Sequence, residues 1–405
     1  MRTLSRVNGK GLEAMAKMFS VRGVTGSLGR WVLAGCLALA FTTVARASTH
    51  YRVIGYDTVS HGVGEVDVDK IDVLVFAFAS LRDGRVMLTP EAAARLRQLT
   101  DLKQTHPRLE VMVSVGGWGV GGFSEAVATP AGRKLFADSA ARLLAEHDAD
   151  GLDVDWEYPG NDSAGITATQ ADRTNFTALL KTLRARLDTS GRAAGQGAAR
   201  HYRLTIAAAD SDLVDGIDIA AVAPYLDWFN LMTYDFNNSL TPLTGHHAGL
   251  FASAAAPADA RTTRRAVRQF LAAGVPSRKL VIGVAFYGRQ FADVRPRHDG
   301  LYQPFSGAVT TPTWAQLRDG LIDQHGYVRH WDEQAKAPYL WNATTRSFIS
   351  YDDPESIAAK AAFARTENLG GMMYWEQSHD AQNQLLDAIY RGLNPEQSTR
   401  QGSSR

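Results

Sequence analysis

The chain has 405 residues, 45% of them apolar and 21% charged, with 43 Lys and Arg against 42 Asp and Glu. That is ordinary globular composition with ample material for a large core, which excludes a disordered or fibrous protein. A net charge of +1 supplies no basic stripe, so no nucleic-acid partner is expected.

The first 50 residues differ from the rest. Basic residues recur as far as Arg30, residues 31–44 are uncharged and mostly apolar, and Ala45-Arg46-Ala47 offers a small-x-small cleavage site. This pattern predicts a signal peptide over 1–47, cleaved after Ala47, and hence a secreted or periplasmic protein. The apolar run is shorter than the roughly 20 residues of a membrane anchor, so no anchor is expected. Leu33-Ala34-Gly35-Cys36 has the form of a lipoprotein box, but too few apolar residues separate Arg30 from Cys36, and lipidation is the lesser expectation. Cys36 is the only cysteine, so the cleaved chain would hold no disulfide.

From residue 50 onward, apolar strand-like runs alternate with helix-like segments. Strands are expected at 52–56, 73–78, 110–115, 151–156, 204–208, 228–232, 280–285 and 371–374. Helices with apolar residues at 3.6 spacing are expected at 91–104, 131–147, 173–187, 261–273 and 355–367, with a short turn at 66–70. Eight such alternations predict a (β/α)8 barrel over 48–393. The chain exceeds the roughly 250 residues typical of that fold. The surplus is concentrated at 289–350, between the seventh strand and its helix, in a stretch rich in Tyr, Phe and Trp that reads as a small α+β subdomain walling the cleft. Residues 394–405 are polar and expected to be disordered.

One strand carries an unusual load. In Asp150-Gly-Leu-Asp-Val-Asp-Trp-Glu157, side-chain alternation places Asp153, Asp155 and Glu157 on one face and Leu152, Val154 and Trp156 on the other. A parallel barrel strand fits this pattern, with its apolar face toward the helices and its acids inward, ending at Glu157 on the C-terminal rim. Carboxyls two residues apart lie roughly 6–7 Å apart at Cα. Repulsion and desolvation then raise at least one pKa, which is what a general acid needs. Glu157, nearest the strand's end, is the natural donor, and Asp155 the neighbour that holds and retunes it. Other strand ends are also unusual: Ser114-Val-Gly-Gly117-Trp118, Asn230-Leu-Met-Thr-Tyr-Asp235, and Met373-Tyr-Trp375 followed by Asp380.

Together these residues resemble glycoside hydrolase family 18, the chitinases. Asp150 to Glu157 matches the Asp-x-x-Asp-x-Asp-x-Glu pattern in full, 114–117 matches Ser-x-Gly-Gly, 232–235 matches Met-x-Tyr-Asp, and Trp375 matches the last-strand tryptophan. The resemblance covers 51–390, and Tyr287-Gly-Arg289 with the insertion after it looks like the subfamily carrying a chitinase insertion. It implies hydrolysis of β-1,4 bonds between N-acetylglucosamine units with retention, the substrate's own N-acetyl carbonyl acting as nucleophile. Glu157 would protonate the glycosidic oxygen and later activate water. Asp155 would orient the acetamido group, Asp153 would share the proton that lets Asp155 turn, Tyr234 would bond the acetamido oxygen, and Asp235 would contact sugar and tune Glu157. Tyr56, Phe78, Gly117, Trp118, Met232, Arg289 and Trp375 complete the expected sugar-binding set. No metal or cofactor is implied; the implied partner is chitin or chitooligosaccharides, and a monomer is expected.

Two other readings accompany this one: an endo-β-N-acetylglucosaminidase acting on glycoprotein glycans, and a chitin-binding lectin on the same barrel, against which the intact Glu157 and Asp155 argue. Several residues have plainer readings. Asp150 is expected to brace the strand entry. Arg289 could equally bond sugar or brace an acid, Trp228 could serve core or cleft, and Trp314 and Trp331 could belong to the insertion's core or to the cleft wall. Trp341 is expected in the insertion's core. His246 and His247, adjacent in a glycine-flanked loop without matching ligand spacing, are expected to be solvent-exposed rather than a metal pair.

Overall fold

The computed structural model describes residues 50–58, 66–193 and 200–395. The expected leader at 1–47, and all but the first two residues of the expected tail at 394–405, lie outside the described residues.

Eight parallel strands close into a barrel among the described residues: β1 Arg52–Asp57, β2 Val73–Arg82, β4 Glu110–Gly116, β5 Gly151–Asp155, β6 Arg203–Ala208, β7 Trp228–Leu231, β8 Leu280–Ala285 and β14 Gly371–Trp375. The order is β1-β14-β8-β7-β6-β5-β4-β2, and β1–β2 pairing completes the ring. Each expected strand is present, with ends shifted by a residue or so except for β2. That strand continues past Phe78 through a register shift between Ala77 and Ala79 and turns back into β3, Arg85–Met87. The turn is Asp83-Gly84, both at positive φ, a two-residue hairpin signal that the sequence carries openly.

Period-two alternation sorts the strand residues into two cores. Val53, Leu74, Phe76, Val111, Val113, Leu152, Val154, Ile282 and Tyr374 face outward into the layer packed by the helices, while Ile54, Tyr56, Val73, Val75, Met112, Val281 and Met373 fill the barrel interior. The helices start where the sequence caps them. Thr89 caps α1 (Pro90–Asp101), Thr129 caps the helix Pro130–Glu146, here α2, and Asp353 caps the helix Pro354–Thr366, its own amide donating in return to the Ser356 hydroxyl.

Between β8 and the Pro354 helix, β9 to β13 form a five-stranded antiparallel sheet of order β10-β9-β13-β12-β11. It comprises β9 Arg289–Phe291, β10 Val309–Thr310, β11 Val328–Asp332, β12 Ala337–Asn342 and β13 Ser347–Ser350. Phe291, Leu301, Tyr339, Trp341 and Phe348 pack together in it. Trp314 instead joins the large outer core with Leu317. Trp228 is fully buried, its indole donating to Asn230 at 3.0 Å. Asp150 braces the entry to β5, accepting the Val111 amide at 2.8 Å and pairing with Lys103 and Arg200.

Candidate active site

The inward residues of β5 form a column that rises toward the C-terminal rim. Asp153 is at its base, fully buried, and four strands supply its partners. Tyr56 and Ser114 hydroxyls donate to Oδ2 at 3.0 and 2.8 Å, while the Thr205 hydroxyl and the Asn230 amide donate to Oδ1 at 2.6 and 3.2 Å. Burial pushes this carboxyl up and the four donors pull it back, leaving it raised. Asp155 is buried above it, and its Oδ1 has no hydrogen-bond partner among the described residues. Burial, then the charges of Glu157 and Asp153, push Asp155 well above the carboxylate range. Glu157 lies just past the strand end, half-buried. Burial is the main cause that lifts it from 4.5 to about 7; the Tyr158 hydroxyl opposes the rise and the charge of Asp235 adds to it. Near neutral pH the rim therefore presents a carboxyl still able to give a proton.

β4 must pass very close to this column. The Gly117 amide donates to the Asp155 carbonyl at 2.9 Å. At Gly116, with φ +126°, an added Cβ would stand 1.9 Å from that same oxygen, and at Gly117 it would meet the Phe78 ring at 2.9 Å. The paired glycines are thus a fit between two strand ends.

From β7 the chain runs into Tyr234 and Asp235. Tyr234 is buried, and the nearest group to its hydroxyl among the bonds formed is the Met373 sulfur at 4.0 Å, a weak acceptor. Asp235 is gripped on both oxygens: Arg289 Nε and Nη2 each donate at 2.6 Å, and the Tyr287 hydroxyl at 2.9 Å. Burial would raise this carboxyl, yet His247 and Arg289 hold it well below the usual range. Arg289 is therefore placed as a brace for an acid.

Aromatic groups border the column. Phe78 stacks on Trp375 with ring centroids 5.5 Å apart, and Tyr56 tilts against the same indole at 5.7 Å. Tyr56 is 2% exposed and bonded to Asp153, so its hydroxyl serves the base of the column. Met232 packs at the edge of the barrel-interior core. Trp118 is 54% exposed, edge-on to Tyr158 at 6.1 Å. Trp331 on β11 bonds Glu333 through its indole, at 2.9 Å. Peptide bonds 77–78, 157–158 and 375–376 are cis.

The expectation that His246 and His247 are solvent-exposed is overturned: they are 3% and 0% exposed. The antiparallel sheet covers their loop. His246 Nε2 meets Asp332 on β11 at 3.0 Å, and the His247 amide donates to Ser350 on β13 at 2.9 Å. Those contacts span 86 and 103 residues, so no local pattern announces them. Tyr158 and Tyr287 also join the site; Tyr158 adjoins Glu157 in sequence, and Tyr287 opens the Tyr-Gly-Arg stretch. Among the described residues no group of His, Cys, Asp and Glu is arranged to hold a metal ion, and no helix is long and apolar enough to cross a membrane.

A carboxyl still protonated near neutral pH, a second carboxyl behind it and an aromatic border, at the C-terminal rim of a (β/α)8 barrel, are what a glycoside hydrolase needs. Residues 52–380 match Glycosyl hydrolases family 18, and the chain belongs to that family. It is 40% identical over 317 residues to Chitinase A1 of Niallia circulans, a match covering 74% of this chain and 45% of that protein. The chain thus spans less than half of that relative's length. Chitinase B of Serratia marcescens is 33% identical, over 76% of this chain and 72% of the relative. Among solved structures, a family 18 N-acetylglucosaminidase from Paenibacillus barengoltzii superimposes with a TM-score of 0.80 at 42% identity, covering 85% of this chain and all of that one.

Proposed function

We propose that this chain is a chitinase that hydrolyses β-1,4 bonds between N-acetylglucosamine units by substrate-assisted, retaining catalysis. The observation that carries the reading is a matched pair of unengaged polar groups beside the acid. Among the described residues, Asp155 offers an oxygen with no donor, and Tyr234 offers a hydroxyl whose hydrogen-bond contact is the Met373 sulfur at 4.0 Å. Buried polar groups normally have partners, and an acetamido group supplies both at once, its N–H to Asp155 and its C=O to Tyr234. Held so, the carbonyl oxygen attacks the anomeric carbon as Glu157 gives its proton to the departing glycosidic oxygen. A positively charged oxazolinium forms beside Asp155. Glu157, now ionised, takes a proton from water as that water attacks the anomeric carbon, and the acetamido group is released with configuration retained. Asp153, with four donors already in place, shares proton density with Asp155; Asp235, gripped by Arg289, keeps its charge near Glu157. Trp375 and Phe78 floor the reactive sugar, and Trp118 extends the platform outward. A secreted or periplasmic enzyme fits this reading, since chitin is an extracellular polymer.

The test is the product profile on chitohexaose. The chain lacking residues 1–47 should release chitobiose, and Glu157→Gln should lower kcat by about 10³-fold or more. Saturable binding without turnover by both proteins would sink the chitinase reading. Release of single N-acetylglucosamine units would instead favour an exo-acting enzyme, a second reading raised by the 42% identity to the Paenibacillus N-acetylglucosaminidase.

A further inference from the structure

His247 is a fully buried imidazole that the reaction as drawn does not use. Its backbone is fixed at both ends: the amide donates to Ser350 Oγ at 2.9 Å, and the carbonyl accepts from the Phe236 amide at 3.0 Å, one residue beyond Asp235. The ring tilts against Tyr287, with centroids 5.4 Å apart. Nδ1 stands 3.5 Å from Asp235 Oδ1, and neither ring nitrogen has another hydrogen-bond partner among the described residues. At that separation the contact is electrostatic more than a hydrogen bond.

The charges around it are few. Asp235 faces it from the β7 end and Arg289 from β9. Asp352, neutralised by Lys360 of the Pro354 helix at hydrogen-bonding distance, faces it from the segment after β13. His246, next in the chain, turns away to Asp332. With a neutral imidazole, the Asp235–Arg289 pair sums to zero beside the acid. With an imidazolium, the same buried cluster carries a net positive charge. A glycosidic transition state is itself cationic, and like charges repel strongly where water is excluded.

We propose that His247 is a positioning residue for Asp235: as a neutral ring it directs an N–H at Oδ1 and fixes the carboxylate that faces Glu157, and its protonation in acid adds a buried cation that slows catalysis. The proposal rests on the hydrolase reading for its kinetic part alone. Burial disfavours the charged ring and Asp235 favours it, the net result lying below 6.5, so the switch belongs to the acid limb and leaves the alkaline limb to Glu157.

Two variants separate positioning from titration. His247→Asn keeps an N–H donor and cannot ionise; His247→Leu has neither property. On a chromogenic chitobioside, His247→Asn should keep kcat at pH 7 within about threefold while the acid limb moves about one pH unit lower. His247→Leu should lose about tenfold in kcat at pH 7, more than the change in KM. A purely structural histidine would give equal losses in both variants and an unmoved acid limb, and that result would overturn the proposal. The second measurement needs no substrate: imidazole NMR titration of His247 in the wild-type chain and in Asp235→Asn. The midpoint should fall in the variant, because the carboxylate that favours the charged ring is gone. Equal midpoints would refute the coupling whether or not the protein cleaves chitobiosides, whereas an inactive wild type with coupled midpoints would fault the substrate reading alone.

Discussion

Burial pushes every carboxyl on this rim the same way, yet the β5 column and Asp235 end on opposite sides of the ordinary range. Asp155 has a buried oxygen with no donor among the described residues and two acidic neighbours, so desolvation and repulsion add. Asp235 keeps 29% of its side chain exposed, and an arginine fork, a phenol and an imidazole meet it, so the donors win. One face of the cleft thereby stores protons and the other stores a fixed negative charge. The contrast teaches that the charge of the donors decides more than their number: Asp153 takes four neutral donors and stays raised, while Asp235 takes a guanidinium and falls.

The contrast can be broken at several points. The largest effect is expected from Glu157→Gln, which removes the carboxyl at the rim whose value is raised to about 7; kcat measured on chitohexaose should collapse as stated above. Next is Asp235→Asn. Without its charge Glu157 loses one of the causes of its rise, so the alkaline limb of kcat should move below about 7 and the rate at pH 7 should drop by about tenfold or more, equal to at least ~1.4 kcal/mol. A pH profile superimposable on wild type would show that the two regions are not coupled.

A third effect concerns stability and runs opposite to activity. Glu157 ionises near 4.5 when unfolded and near about 7 when folded. Its bound proton favours the folded state fully below 4.5, and that contribution is lost as pH rises through about 7. At pH 8 the Gln variant should therefore be more stable than wild type, by up to roughly 3 kcal/mol, with the difference vanishing near pH 4. Denaturant titrations at the two pH values measure it, and an equal gain at both would point to packing instead. The smallest effect is Trp118→Ala. A half-exposed indole contributes little to the fold, so melting should be unchanged while KM for the hexamer rises roughly fivefold, about 1 kcal/mol of stacking. An unchanged KM would remove Trp118 from the sugar platform.

Much of this was legible in the residue order because strands buried on two faces leave a strong apolar trace. Leu280–Ala285 is uniformly apolar or glycine and its bounds were read without error; the β5 column was readable because alternation fixes which side chains share a face. β2 was read short because the register shift at Ala77 and Ala79 interrupts its pattern. The grip on Asp235 was only half visible. Arg289 could be suspected from its place after β8, but whether it met sugar or acid depended on a fold-back of 54 residues. His247 was misread for the same reason, since what buries it is a sheet built a hundred residues later. Local pattern records what an element needs from its neighbours, and stays silent on which neighbours arrive.

Asp153 has one more consequence. Its carboxylate collects bonds from Tyr56 on β1, Ser114 on β4, Thr205 on β6 and Asn230 on β7, so five strands of the ring, its own included, converge on a single side chain beneath Asp155 and Glu157. The footing of the candidate active site is therefore also a keystone of the barrel. A chain nicked or frayed in any one of those strands loses a member of this cluster, and turnover becomes a sensitive reporter of whether the ring has closed.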